Sequence, residues 1–282
     1  MAQIIDIHPH VISPDTGRYP VDPIGGRQSN WSAKHSLTYD QLIADMDRAG
    51  VSKAAIVQAS TVYGHDNTYL AEAVAAYPNR FTGVFSEDIL ADDAISAIKH
   101  WRSRGLSAIR LFTAGTTVEG QADWLNNPKT YQAWKYCAET NLPVCVQMRP
   151  QGIALLTEVL TKFPKLRIIV DHFARCRFSD GPPYAEADAL WALSKFSGVH
   201  LKLTHRALEA AAEGKSNYGA FFDHVLTFYP ANRIAWGSNY PAVGRSLDDV
   251  LTEARDALSH LPDKDQRLIL AETAKSLFPT LS

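Results

Sequence analysis

Eight short apolar runs, distributed along 282 residues and separated by segments of helical periodicity, constrain this chain more than any other feature. The runs are QIIDI (3–7), AAIVQ (54–58), FTGVFS (81–86), SAIRLF (107–112), PVCVQM (143–148), LRIIVDH (166–172), VHLKLT (199–204) and RIAWGS (233–238). Near-continuous apolar, β-branched runs are the pattern of parallel strands buried on both faces. Between them lie amphipathic segments such as YDQLIADMDRAG (39–50), NTYLAEAVAAYP (67–78), DDAISAIKHWRSRG (92–105), IALLTEVLTKFP (153–164) and DDVLTEARDALSHL (248–261), several closed by Gly or Pro. Those read as crossover helices. The alternation predicts an α/β fold of the (β/α)8 TIM-barrel type, one domain over 1–282. A doubly wound open sheet is the alternative; the first strand runs into HPH and not into a glycine-rich phosphate turn, which argues against it. Residues 11–37, rich in Pro, Gly, Asp and Ser, predict a long active-site loop over the barrel mouth.

Composition excludes several classes of partner. Lys and Arg number 28 against 30 Asp and Glu, a formal net charge of -2, which offers no general attraction to nucleic acid or to an anionic membrane. No run of about 18 apolar residues suggests a membrane span, and the start, MAQIIDIHPH, lacks the basic and apolar regions of an export signal. Cys137, Cys145 and Cys176 form no CxxC pair and fit reduced thiols, so a cytoplasmic location is expected. A homo-oligomer is left open.

In a barrel of this kind chemistry gathers where the strands end at their C-terminal side. There the sequence places Asp6, His8 and His10 after the first strand, and Gln58 and Ser60 after the second, followed by Tyr63, His65 and Asp66. The fourth strand carries Arg110, and the fifth Gln147 and Arg149. Asp171 and His172 close the sixth; Lys202, His205 and Arg206 come from the seventh, and Ser238 and Asn239 from the eighth. Side chains two apart on an extended segment point the same way, so His8 and His10 converge. The structural alternative is a hydrogen-bonded polar pair at a strand end, and for His172 a buried structural histidine. Alternation sends Asp171 to the face opposite His172. Arg110, Arg149 and Arg206 are suited to gripping a carboxylate, with rim ion pairs as the alternative, and Lys202 can simply pair with Asp171. Trp31, Trp124, Tyr63 and Tyr240 are candidates to wall a flat substrate or to pack a lid.

DIHPH, VQAS, IRLF, IVDHFAR and WGSNYP at strands one, two, four, six and eight carry a resemblance over nearly the whole chain. The sequence resembles the amidohydrolase superfamily, in its amidohydrolase-2 branch. That branch includes lactonases of carboxylated lactones, such as 2-pyrone-4,6-dicarboxylate lactonase, and aminocarboxymuconate semialdehyde-type decarboxylases. The resemblance implies metal-dependent relatives that complete their site with a histidine from strand five and an aspartate from strand eight. Here Gln147 and Asn239 stand at those positions, which removes a nitrogen donor and the negative charge. No tightly bound catalytic metal is therefore expected; the alternative is a divalent metal such as Zn held by His8, His10 and His172. Metal-independent lactonases of the branch use the strand-eight aspartate as base, and Asn239 cannot take that proton near neutral pH. Two explanations follow: Asn239 is a deliberate Asp→Asn change, or another residue serves as base; with Asn239 native, the resemblance implies His172, the match of the histidine that the decarboxylase relatives use, with Asp171 as a tautomer partner.

The expectation is a hydrolase acting on a small carboxylated cyclic ester or amide. Its catalytic residues are His8, His10, His172 and Asn239, and its substrate contacts are Ser60, Tyr63, His65, Arg110, Gln147, Arg149 and Arg206. Two alternatives accompany it: a non-oxidative decarboxylase, and a non-catalytic binding protein on the same scaffold.

Overall fold

The computed structural model describes residues 3–282, and in it each predicted run holds a strand: β1 (Ile5–Asp6), β2 (Lys53–Val57), β3 (Phe81–Ser86), β4 (Leu106–Phe112), β5 (Val144–Gln147), β6 (Ile168–Asp171), β7 (Val199–Leu203) and β8 (Ile234–Trp236). They form one eight-stranded sheet in sequence order, every adjacent pair parallel. The two outer strands meet. Ile7 N donates to Trp236 O at 3.1 Å, and Asp6 Oδ1 accepts Ser238 N at 2.9 Å. This seam turns the sheet into a barrel and removes the open-sheet alternative.

Helices lie where the periodicity places them, at Tyr39–Ala49, Thr68–Ala76, Ala94–Ser103, Gly152–Lys162 and Leu247–Leu258. The first shows why. Thr38 Oγ1 accepts Gln41 N while Gln41 Oε1 accepts Thr38 N, and Gly50 stops the helix with φ 75°, a left-handed conformation that costs glycine little. No helix among the described residues is long and apolar enough to cross a membrane.

Two apolar layers result. One fills the space between sheet and helices. The other is the barrel interior, where Ile5, Ile7, Ala55, Val57, Val84, Ala108, Cys145, Ile169 and Ala235 pack onto Ala271, Ala274, Leu277, Phe278 and Leu281 from the C-terminal segment, which closes the floor. Because strand side chains repeat every two residues, the next interior layer toward the mouth follows from the first. Ala108 leads to Arg110, Cys145 to Gln147 and Ile169 to Asp171. The loop 11–37 is pinched at its base by an antiparallel bridge between Ile12 and Leu37 and contains a short helix, Asn30–Lys34.

Asp6 is fully buried and its Oδ1 also accepts His8 N at 2.9 Å. Replacing it by alanine leaves two buried N–H groups without an acceptor, at about 1–3 kcal/mol each. Asp6→Ala is therefore expected to lower unfolding stability by about 2–6 kcal/mol in urea titrations. An unchanged midpoint would show that the β1–β8 seam does not depend on this carboxylate.

Candidate active site

The turn at Asp6 sets the first two histidines. Strict alternation from Ile5 and Ile7, both interior, would carry His8 outward, but the Asp6 carboxylate bonded two residues ahead bends the chain so that His8 follows Ile7 inward. β8 has to leave room for it: a Cβ at Gly237 would stand 2.6 Å from His8 Cβ. The His8 ring lies 4.9 Å, centroid to centroid, from both His10 and His172. His10 Nδ1 is 2.8 Å from the carbonyl oxygen of Val57. That oxygen can only accept, so in the neutral ring Nδ1 carries the hydrogen and Nε2 the lone pair.

His172 arrives differently. From His172 to Arg175 four consecutive residues have φ between 52° and 55°, a left-handed stretch that costs about 1–3 kcal/mol per non-glycine residue. Asp171 faces the interior as Ile169 does, and the reversal that follows turns His172 back over the same mouth. The expectation that Asp171 and His172 face opposite ways is thereby corrected: the strand ends between them, and alternation stops with it. The tautomer partner is corrected too, since His172 Nδ1 lies 2.8 Å from Thr204 Oγ1.

Beneath the histidines lies a charged floor. Asp171 is fully buried; its Oδ1 stands 2.6 Å from Lys202 Nζ and its Oδ2 3.4 Å from Arg110 Nε. Lys202 sits directly opposite Asp171 in the β6–β7 ladder. Arg110 also donates to Gln58 O at 3.2 Å and to Gln147 Oε1, while Gln147 Nε2 donates to Ala114 O at 2.8 Å. Gln147 thus fixes the guanidinium. The buried cations and the burial itself act in one direction on the rings. Burial first, then the charges of Lys202, Arg110 or Arg206, hold His8 and His172 well below the usual imidazole range, and His10 is lowered to about 3. All three are neutral at pH 7.

Above this floor opens a cavity of about 440 Å³, counting its solvent-open part, lined by His10, Trp31, Ser60, Arg110, Phe112, Thr116, Gln147, His172, Arg175, Arg206 and Asn239 among others. Of the residues expected to touch substrate, Ser60, Arg110, Gln147 and Arg206 line it. Tyr63, His65 and Arg149 do not. Ser60 starts a one-turn helix that carries Tyr63 away, so the Tyr63 hydroxyl accepts Ser13 N at 2.8 Å and braces the loop. His65 Nδ1 meets Ser86 Oγ at 3.1 Å, and Arg149 is exposed past the end of β5. Of the candidate aromatic walls, Trp31 stacks near His10 at 5.3 Å, whereas Tyr240 donates its hydroxyl to Asp45 Oδ2. Arg175, at the end of the IVDHFAR segment, is the cation that sequence reasoning passed over. Its signal was present, but only the left-handed turn brings it to the rim.

The structure also tests a metal site. His8, Asp171 and His172 bring ligand atoms within 4.8 Å of one another, a grouping in which Asp171 stands beside two of the three expected histidines, while His10 keeps its Nε2 lone pair toward the cavity. Both Asp171 oxygens already face cations, and two buried positive charges oppose a third ion arriving beside them. Gln147 and Asn239 add no charge to offset them, so the electrostatics of the group disfavour a divalent cation although its donors, His8, Asp171 and His172, are of ligand type.

A model of the amidohydrolase family (Amidohydro_2) matches residues 5–280. Two characterised proteins are similar in sequence. The 4-sulfomuconolactone hydrolase of Rhizobium radiobacter is 24% identical over 245 residues, 85% of this chain and 76% of that protein. The L-fucono-1,5-lactonase of Burkholderia ambifaria is 26% identical over 120 residues, 42% of this chain, and the match spans 41% of the lactonase. Among solved structures, one of Acinetobacter baumannii described as a 2-pyrone-4,6-dicarboxylic acid hydrolase, with citric acid bound, superposes with TM-score 0.78 at 18% identity, covering 98% of this chain and 99% of that one. An amidohydrolase of Burkholderia multivorans with bound zinc gives 0.78 at 17%, covering 99% of both. These likenesses establish the shared barrel fold.

The lowered histidines predict how stability responds to acid. His8, His10, His172, His200 and His205 are all shifted down, so below about pH 6.5 the unfolded chain binds protons that the folded one refuses. Asp6, raised to about 6 by burial, and Glu87, raised to about 7, act oppositely but are fewer. Stability should therefore fall as pH drops from 6.5 toward 4, read as a decreasing urea midpoint. A midpoint that rises over this window would mean that the lowered histidines do not outweigh the raised carboxyls of Asp6 and Glu87.

Proposed function

Because this chain belongs to the amidohydrolase family, we propose that it hydrolyses a small carboxylated cyclic ester or, less readily, a cyclic amide, without a catalytic metal. One observation carries this reading: neutral imidazoles face a cavity ringed by the guanidinium groups of Arg110, Arg175 and Arg206. Fixed cations of this kind bind carboxylate and stabilise an oxyanion. The lactone-hydrolysing relatives support the substrate class.

Roles follow from position. Arg206 and Arg175 at the rim hold the substrate carboxylate, and Arg110, locked by Asp171 and Gln147, faces the ring carbonyl. Water attacks that carbonyl as His172 takes its proton, in the tautomer that bears its hydrogen on Nδ1, toward Thr204 Oγ1 at 2.8 Å, and leaves Nε2 to accept. The tetrahedral oxyanion collapses, the ring C–O bond breaks, and the protonated His172 returns its proton to the leaving alkoxide, which gives a hydroxy acid and restores the neutral ring. His10 in its fixed tautomer offers an acceptor and not a donor to the cavity, so oxyanion stabilisation falls to Arg110 and the amide of Asn239. Asn239 is held at φ 58°, a conformation that asparagine tolerates better than most residues.

A panel of carboxylated lactones assayed by base uptake in a pH-stat, with released carbon dioxide measured in parallel, tests the reaction class. Base consumption without carbon dioxide is expected; carbon dioxide release would replace hydrolysis by decarboxylation, and tight binding without turnover would leave a binding protein. His172→Asn should lower kcat by about 10²–10⁴-fold, the usual worth of a positioned base. Arg206→Ala should act mainly on KM. Since His172 titrates well below 6.5, kcat/KM should stay level from pH 8 through 6.5 and fall only in more acid solution. A decline centred at 6.5 would point to an exposed, ordinary histidine instead.

A further inference from the structure

Among the described residues Lys202 is the one buried ammonium beside the histidine cluster, and the reaction described above does not use it. It is fully buried, 2.6 Å from Asp171 Oδ1, with Cys145 Sγ at 3.5 Å as its other polar neighbour. An ammonium enclosed in a barrel interior is costly unless it is paired, and here it shares one carboxylate with Arg110. The surrounding donor set is otherwise complete. His8, Asp171 and His172 converge within 4.8 Å, and neither ring nitrogen of His8 has a hydrogen-bond partner among the described residues. Donor geometry alone would admit a divalent ion; the charge of Lys202 is what opposes it.

We propose that Lys202 is a built-in substitute for a divalent cation: its ammonium occupies the Asp171 oxygen that a metal would use and makes the His8–Asp171–His172 group a metal-free proton-handling site. Lys202 is thus a positioning residue. It keeps Asp171 oriented toward the floor, leaves the imidazoles unligated, and supplies a fixed positive charge that no chelator can remove. A neutral residue on β7 at this position would leave the carboxylate with Arg110 on one oxygen and the other open to an ion. This deepens the metal-independent part of the proposed reaction and stands whichever substrate is hydrolysed.

The test needs no substrate. The parent protein, Lys202→Met, Lys202→Arg and the double variant Lys202→Met/His8→Ala are dialysed against Zn²⁺, the bound metal is counted, and Co²⁺ absorption reports on ligation by the histidines. The parent and Lys202→Arg should retain no stoichiometric metal. Lys202→Met should bind about one equivalent, about 100-fold or more tightly than the parent, as expected when a like charge a few ångströms away is removed. His8→Ala in the same background should abolish that binding. Parent protein holding one equivalent that His8→Ala releases would overturn the proposal, as would folded Lys202→Met that takes up none. Should Lys202→Met not fold, Lys202→Gln, neutral as well, takes its place: one equivalent of bound metal is expected, and a folded Lys202→Gln that takes up none overturns the proposal. Failure on every lactone would remove the proposed substrate class without touching this result.

Discussion

A carboxylate without solvent exposure, Asp171, faces two cations, Lys202 from the adjacent strand β7 and Arg110 from β4 across the barrel interior, and the mouth of the barrel is organised around it. Burying any one of these charges alone would be prohibitive; together they are tolerable because each oxygen has a partner. The arrangement has an excess of positive charge, and that excess is useful. It pre-forms a surface on which an anion or a developing oxyanion is favoured, and it adds to burial, the larger cause, in disfavouring protonation of three adjacent imidazoles. An aspartate that merely satisfied one lysine would do neither.

The neutrality of the histidines ties stability to chemistry. Rings that are packed 4.9 Å apart inside a barrel cannot all be charged, and their depressed pKa values are the electrostatic cost of that packing seen from the proton's side. The same packing fixes tautomers. Val57 O dictates which nitrogen of His10 bears hydrogen, and Thr204 Oγ1 orients the ring of His172, leaving its Nε2 unengaged. The left-handed stretch after β6 belongs to this economy as well, since backbone strain there is tolerated where it delivers both His172 and Arg175 to the cavity.

Much of the site was legible because barrel topology converts position in the chain into position in space. Arg110 and Gln147 lie two residues beyond interior Ala108 and Cys145, and a period of two is enough to place them. Where the backbone leaves the extended region that rule fails. Asp171 and His172 look opposed on paper and share a wall in the fold, while Tyr63 and His65, close in sequence to Ser60, are carried off by a single helical turn. Arg149 and Arg175 each follow a strand closely, and only the turn after β6 decides which reaches the cavity.

The sequence by itself determined the eightfold alternation, and through it the barrel, its polar end and most of the residues found there, because burial periodicity is a local property of the chain. It also determined that amides stand at positions 147 and 239, and so which charges are missing. Only the tertiary structure decided which residues share Asp171, which nitrogen of each ring is free, and that Lys202 faces the place a cation would occupy. Those are relations between strands distant in the chain, set by ladder register and by bends of a few degrees of freedom, and no local pattern encodes them.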